Sequence, residues 1–240
     1  SVLTPLLWLV VVGKGIGASI EDEASFGGVS YDTFIFPGIL CMTVLFQSVF
    51  YGLYIVWDRK IDFLKEVLAA PLHRSTIFLG KVLGGVTDSM VQVTIIVVLG
   101  YFIFPEVTYT VQSLSIVYLF MFLLAVTMTS IGLIIGSRME SPEGFSLVVS
   151  LVVFPMYFLS GALFLKRNLT SEAPYLYWAT VANPVSYAVD AIRYTLLRGD
   201  GGRPIEVFNE FGLALDFAVL GGFCLVLLVI GTWAFRTMRL

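Results

Sequence analysis

The sequence predicts an all-α polytopic membrane protein with six transmembrane helices. Composition is the first observation behind this: of 240 residues, 58% are hydrophobic and 13% charged. A soluble domain is about 45–50% apolar and about 25% charged, and the mean hydropathy here is +0.93. The second is recurrence, since six apolar runs approach the roughly 20 residues that a bilayer requires. The third is the stretch Asp58–Lys81, DRKIDFLKEVLAAPLHRSTIFLGK, which holds five of the fourteen Lys and Arg and belongs in water.

Taken in order, the first run spans Ser1 to about Gly17 and contains Lys14, whose stem can reach the interface. It begins without Met and without a basic stretch before it, so it does not read as a signal peptide, and a preceding segment is expected. Ala18–Thr33 carries Glu21, Asp22, Glu23 and Asp32 with no basic residue and reads as an outer loop. Phe34–Trp57 is the second span. Thr76–Phe104, the third, would be about 43 Å long at 1.5 Å per residue, against a hydrocarbon core of about 30 Å, so its first turns project into water. Pro105–Ser113 is an outer turn, Leu114–Gly136 the fourth span, and Arg138–Glu143 a tight polar return. The fifth run, Phe145–Leu165, is interrupted by Pro155 and Gly161, where it can bend or re-enter. Leu213–Phe235 is the sixth.

Basic residues in short loops set the orientation. With Asp58–Lys81, the Arg138 turn and the C-terminus in the cytoplasm, Arg59, Lys60, Lys65, Arg74, Lys81, Arg138, Arg236 and Arg239 lie inside. Both termini are then cytoplasmic. Lys166, Arg167, Arg193, Arg198 and Arg203 fall outside, beside Glu172, Asp190, Asp200 and Glu206. Nothing in a net charge of −3 suggests nucleic acid, and Cys41 and Cys224 sit in apolar runs with neither disulfide nor metal spacing.

Within the charged stretch, Ile61, Leu64 and Leu68 recur at i, i+3 and i+7 while Asp62, Lys65 and Glu66 face away. The pattern predicts an amphipathic surface helix over Ile61–Ala70, stopped by Pro71, with Ser75 capping the next helix. An ordinary solvated connector is the competing reading, but a connector needs only a few residues. Between the fifth and sixth spans, Asn183 and Pro184 form an N-cap and N1 pair, Val185–Leu197 is periodic, and Gly199 sits at a C-cap position. That helix is too short to cross, and it carries Asp190 and Arg193 at i,i+3. The expected picture is two short helices dipping into the outer leaflet; a surface amphipathic helix is the alternative.

Other motifs carry less. Gly13–Gly17 lacks the GxxxxGK[ST] pattern, and the single histidine, His73, excludes two-histidine zinc sites. Gly132-xxx-Gly136 and Gly80-xxx-Gly84 match small-residue helix packing. Asn168-Leu169-Thr170 and Arg198-Gly199-Asp200 read as turns. Asp88 and Gln92 share one face of the third span; an intramembrane ionisable group is a functional hypothesis, and a hydrated structural position near the cytoplasmic interface is the other reading.

The charged run, FLSGALFLKRN, and NPVSYAVDAIRYTLLRGD, in this order between these spans, resemble the permease subunits of ABC-2 type exporters, especially the drug-resistance and nodulation-factor branch. The resemblance covers nearly the whole chain and implies one transmembrane domain over residues 1–240. It implies a cytoplasmic coupling loop at 58–75, with Ile61, Leu64, Lys65, Glu66, Leu68, Pro71, His73 and Arg74 meeting an ATPase. It further implies an outer region at 166–212 with two re-entrant helices, the second carrying Asn183, Pro184, Asp190 and Arg193. ATP and Mg would sit on a separate nucleotide-binding subunit, with no cofactor on this chain, and the permease would dimerise with a second copy in the lipid of the plasma membrane. Two departures are the absence of an amphipathic N-terminal helix and of the usual Pro-rich turn in Leu165–Pro174. Flat apolar side chains at Phe46, Phe50, Tyr51, Phe154, Tyr157 and Phe158, with Gln47, suit an amphipathic cargo, although core packing explains them equally. The expected function is ATP-driven export of a hydrophobic or amphipathic substrate, such as a drug, lipid or glycolipid. The alternatives are an ion-coupled secondary transporter or channel, and an intramembrane enzyme, which lacks an acid, base and nucleophile cluster.

Overall fold

The computed structural model describes residues 3–8, 28–63, 66–67, 72–104, 107–164, 173–197, 205, 208 and 210–237, with Val11, Gly13 and Gly15. Their regular structure is helical throughout: α1 Leu3–Trp8, α2 Tyr31–Phe50, α3 Leu53–Lys60, α4 Arg74–Ile103, α5 Val111–Arg138, α6 Pro142–Phe158, α7 Pro174–Val181, α8 Pro184–Leu196 and α9 Leu213–Arg236. Four stretches among them are long and apolar enough to cross a membrane: Tyr31–Lys60, which joins α2 to α3, and α4, α5 and α9. The fifth apolar run forms the shorter α6, of 17 residues. Of the predicted first span, the described helix is Leu3–Trp8.

α5 is the centre of the bundle, packing on α2, α4, α8 and α9. It is buried on all sides from Leu124 to Ser130, as α2 is from Thr33 to Leu45; a helix apolar all round must be enclosed. α9, by contrast, exposes Phe217, Leu225, Val229 and Trp233, the apolar outer face that a lipid solvent tolerates.

The tightest packing is a backbone crossing. A Cβ on Gly132 would overlap the Val49 carbonyl, and one on Gly52 or Gly136 would overlap the backbone of the other helix. Here α2 passes into α3 through i→i−3 bonds, Gly52 N–H to Val49 O at 3.0 Å and Tyr54 N–H to Tyr51 O at 3.1 Å, a local 3₁₀ tightening. The Gly132-xxx-Gly136 spacing thus packs as expected. Gly80 does not: a Cβ there would meet nothing within 4 Å.

Helix ends differ from the sequence reading in four places. α3 continues through Asp58, Arg59 and Lys60, three residues past the expected end of the second span. α4 starts at Arg74 with His73, not Ser75, as its N-cap residue. α5 starts at Val111 because Thr110 and Ser113 form a reciprocal capping box, Ser113 N–H to Thr110 Oγ1 at 3.1 Å and Thr110 N–H to Ser113 Oγ at 2.9 Å. α6 passes through Pro155 and ends at Phe158 with Leu159 as its C-cap, and Gly161, just beyond, adopts φ +75°, a left-handed turn that favours glycine. Asn183 caps α8 as expected: its Oδ1 accepts from Val185 N–H at 3.1 Å, and its Nδ2 donates to Met156 O at 2.5 Å. Gly199 lies outside the described residues.

α8 does not lie as an amphipathic helix on a surface. Every residue of it except Tyr194 is buried, against α2, α5 and α9. Arg193 donates to the carbonyls of Gly161 at 3.1 Å and Ala162 at 2.9 Å, and its guanidinium stands 3.9 Å from the centre of the Phe34 ring. Asp190 accepts from the N–H of Phe211 at 3.2 Å and Glu210 at 3.4 Å. The i,i+3 pair therefore ties two separate turns to α8, and Arg193 is not one of the loop charges that bear on orientation.

Gly132→Val is expected to destabilise the fold by about 3 kcal/mol or more, the upper end of overpacking costs. Gly80→Ala should raise stability by up to about 1 kcal/mol through helix propensity. Thermal unfolding of the two variants in one detergent checks both signs.

Candidate functional site: a pinned loop and two grooves

The 58–81 stretch is held at its base. Asp58, on α3, pairs with Lys81, on α4, at 2.5 Å, with both side chains about one-fifth exposed. Next to it, the Arg59 guanidinium donates to Ser137 O at 2.8 Å and Met139 O at 3.0 Å. These carbonyls belong to the end of α5, where orphan acceptors and the negative end of the helix dipole favour a cation. Lys60 lies over Trp57, 5.6 Å from the ring centre. The two residues that open the loop thus fix α3 to α4 and to α5.

Beyond that base the chain turns at Asp62, with φ +59°, a conformation uncommon outside glycine, asparagine and aspartate. Of the expected coupling residues, Ile61 is 67% exposed, Glu66 and His73 are exposed, and Arg74 is half-buried at the first turn of α4. Leu64, Lys65, Leu68 and Pro71 lie outside the described residues.

Around the Gly52 joint the expected path residues gather in two adjoining grooves, the α2 residues of the first lying before it in the chain and the residues of the second on both sides of it. One, of about 290 Å³, is lined by Pro5, Trp8, Met42, Thr43, Phe46, Gln47, Phe50, Gln92 and Phe154. The second, of about 350 Å³, is lined by Gln47, Phe50, Tyr51, Leu53, Tyr54 and Trp57. Phe46 and Phe50 are stacked at 6.4 Å and 9°, and Phe154 meets Phe46 edge-on at 5.2 Å, the offset and T-shaped geometries that ring quadrupoles prefer. Phe158 is exposed, while Tyr157 is buried and touches Trp8 edge-on at 6.4 Å. Five of the seven expected residues therefore share the grooves, and Tyr157 packs in the core.

Polar groups run along the seam between α2 and α4. Gln47 donates through Nε2 to Asp88 Oδ2, and the Ser48 and Ser89 hydroxyls are 2.7 Å apart. Tyr51 places its hydroxyl over Gly84, one turn before Asp88. The sequence paired Asp88 with Gln92 on a face of its own helix; its hydrogen-bond partner comes from α2. The signal for this, two polar residues within each of two apolar runs, is present in Gln47-Ser48 and Asp88-Ser89. The Asp58–Lys81 pair was legible only as opposite charges at the rims of consecutive spans. Among the described residues no cluster of His, Cys, Asp and Glu is placed to hold a metal ion.

Residues 1–197 match the family described as ABC-2 type transporter. The chain is similar to the inner membrane transport permease YadH of Escherichia coli (strain K12), with 29% identity over 224 residues, 91% of this chain and 81% of YadH. It is also similar to the putative transport permease ycf38 of Cyanophora paradoxa, at 27% over 198 residues, 80% of this chain and 65% of that protein. Nodulation protein J of Neorhizobium galegae is 25% identical over 230 residues, 94% of this chain and 82% of that protein.

Arg59→Ala strips two carbonyls of their donors and is expected to cost about 1.5–3 kcal/mol, the range for hydrogen bonds to a charged group. Lys60→Ala should cost about 1 kcal/mol or less. Chemical or thermal unfolding of each variant in nanodiscs measures the difference.

Proposed function

This chain belongs to the ABC-2 type transporter family, and we propose that it is the permease of an ATP-driven exporter that moves a hydrophobic or amphipathic substrate, such as a drug, lipid or glycolipid, out of the cell. The family places it in the membrane as a multi-pass transport subunit and implies association with an ATP-binding subunit. The finer reading has six spans, both termini in the cytoplasm of a plasma-membrane protein, α7 and α8 as re-entrant helices, and a dimer of two permease copies surrounded by lipid. ATP and Mg are held by the partner, and this chain contributes transport, not hydrolysis.

The observation that carries the reading is the pinned base of the 58–81 loop. A partner that closes on ATP and pushes Ile61–Ala70 moves a segment whose ends are joined to each other by Asp58 and Lys81 and to α5 by Arg59. The push therefore reaches α2 through the Gly52 joint, and Gln47 and Phe50, which lie on both grooves, are the next turn. Ile61, Leu64 and Leu68 are the apolar contact, Lys65 and Glu66 the charged one, and Pro71, His73 and Arg74 the hinge.

One observation favours the alternative of an ion-coupled secondary transporter or channel: Asp88 is hydrogen-bonded between two spans, the kind of group such proteins use. Transport by proteoliposomes under an ion gradient without ATP separates the two.

With the permease and its ATP-binding partner reconstituted together, charge reversal at both Lys65 and Glu66 is expected to reduce export at least about tenfold, a loss of about 1.4 kcal/mol, and to leave the fold intact by thermal unfolding. Unchanged export by the double variant contradicts the coupling role.

A further inference from the structure

The two grooves meet at Gln47 and Phe50, and they differ in the charge beside them: Lys60 stands over Trp57 of the second, 5.6 Å from the ring centre, while the first has Asp88 behind Gln47. Among the described lining residues there is no Lys or Arg. Asp88 is half-buried on α4 and bound to the Gln47 amide nitrogen. Lys81, two helical turns earlier on α4, is committed to Asp58 and is about 10 Å away along the axis. With Lys81 paired and Lys60 over the second groove, the Asp88 carboxylate behind Gln47 is the charge that acts on the first groove, where partial burial strengthens its field relative to water.

We propose that the first groove selects cationic amphiphiles, with Asp88 supplying the charge preference and Phe46, Phe50 and Phe154 the apolar contact. The proposal rests on the export reading for its biological direction, while binding itself needs no ATPase. Three features act together. Aromatic faces attract a cation through the ring quadrupole, more strongly when water is excluded. Gln47 gives a hydrogen to Asp88, so its amide is oriented by that bond and its carbonyl oxygen remains as the acceptor it offers to a ligand N–H or O–H. An anion, conversely, meets Asp88 with no cation among the described lining residues to offset the repulsion. Gln47 and Asp88 are thus positioning and specificity residues, the first placing the polar end of the ligand and the second setting its sign.

Tetraphenylphosphonium and tetraphenylborate are nearly the same size and shape and carry opposite charges. Saturable binding of each to the full chain in nanodiscs of zwitterionic lipid, corrected for partition into empty nanodiscs, reads the preference directly. The expected result is binding of the phosphonium at least about tenfold tighter than the borate, a modest demand on a unit charge within the protein. Asp88→Asn keeps an acceptor for Gln47 and removes the charge, and it should abolish the preference while retaining apolar binding. Equal or tighter binding of the borate by the unaltered chain overturns the proposal whether or not the variant folds. A preference unchanged in a folded Asp88→Asn protein also overturns it. Selective binding by a chain that supports no ATP-dependent transport with its partner refutes the export reading and leaves the site. Transport with no charge preference in binding refutes the site and leaves the export reading.

Discussion

The fold depends on one contact: the backbone of α2 and α3 laid directly on the backbone of α5 at Gly52, Gly132 and Gly136. In lipid there is little hydrophobic drive for helices to associate, so close van der Waals approach carries the packing. The contact sits where α2 tightens into α3, and it fixes the register between the charged end of that long helix and its aromatic middle. Around it, Tyr51 lies over Gly84 and Gly85 of α4, so three spans share one junction.

Two consequences follow from where that junction lies. Toward the charged end, Asp58 and Arg59 project from α3 at the level where α4 begins its apolar course and α5 ends, which is why each finds a partner there. Toward the other end, Phe46, Gln47 and Phe50 line the first groove. The proposed lever thus follows one end of a helix whose other half lines the first groove, while the second groove spans the joint between them. Rigid coupling of this kind is a physical route for transmitting displacement, since packed helices shift between discrete arrangements and do not deform continuously. The turns at residues 161–162 and 210–211 are braced separately, by Arg193 and Asp190 of the buried α8.

Much of this was legible in the sequence. Long apolar runs gave α4, α5 and α9 nearly to their ends, because nothing but length and hydropathy decides a lipid-exposed helix. Asn183-Pro184 gave the start of α8, since a cap is a local property. Local reading failed where the deciding partner was distant. Arg193 looked like half of an i,i+3 pair until the carbonyls of residues 161 and 162 appeared beside it. Asp88 looked like a partner for Gln92 until Gln47 appeared from α2. Burial of α8 on all sides could not be foreseen from its own charges, which a surface helix would carry equally well. The Thr110–Ser113 capping box was present in the sequence and lay inside what read as a turn. Within the charged stretch, Asp58, Arg59 and Lys81 are attached to partners, while Leu64, Lys65, Leu68 and Pro71 lie outside the described residues.

Residue-by-residue photo-crosslinking in the assembled transporter tests the central claim, that the 58–81 loop is the surface on which the ATP-binding subunit acts. Benzoylphenylalanine at Ile61, Phe63, Glu66 or Leu72 is predicted to form adducts with that subunit. The same group at Tyr175 or Trp178, exposed at 73% and 68% on α7, is predicted to form none. Adducts from α7 with none from the loop would contradict both the coupling role and the orientation on which it stands.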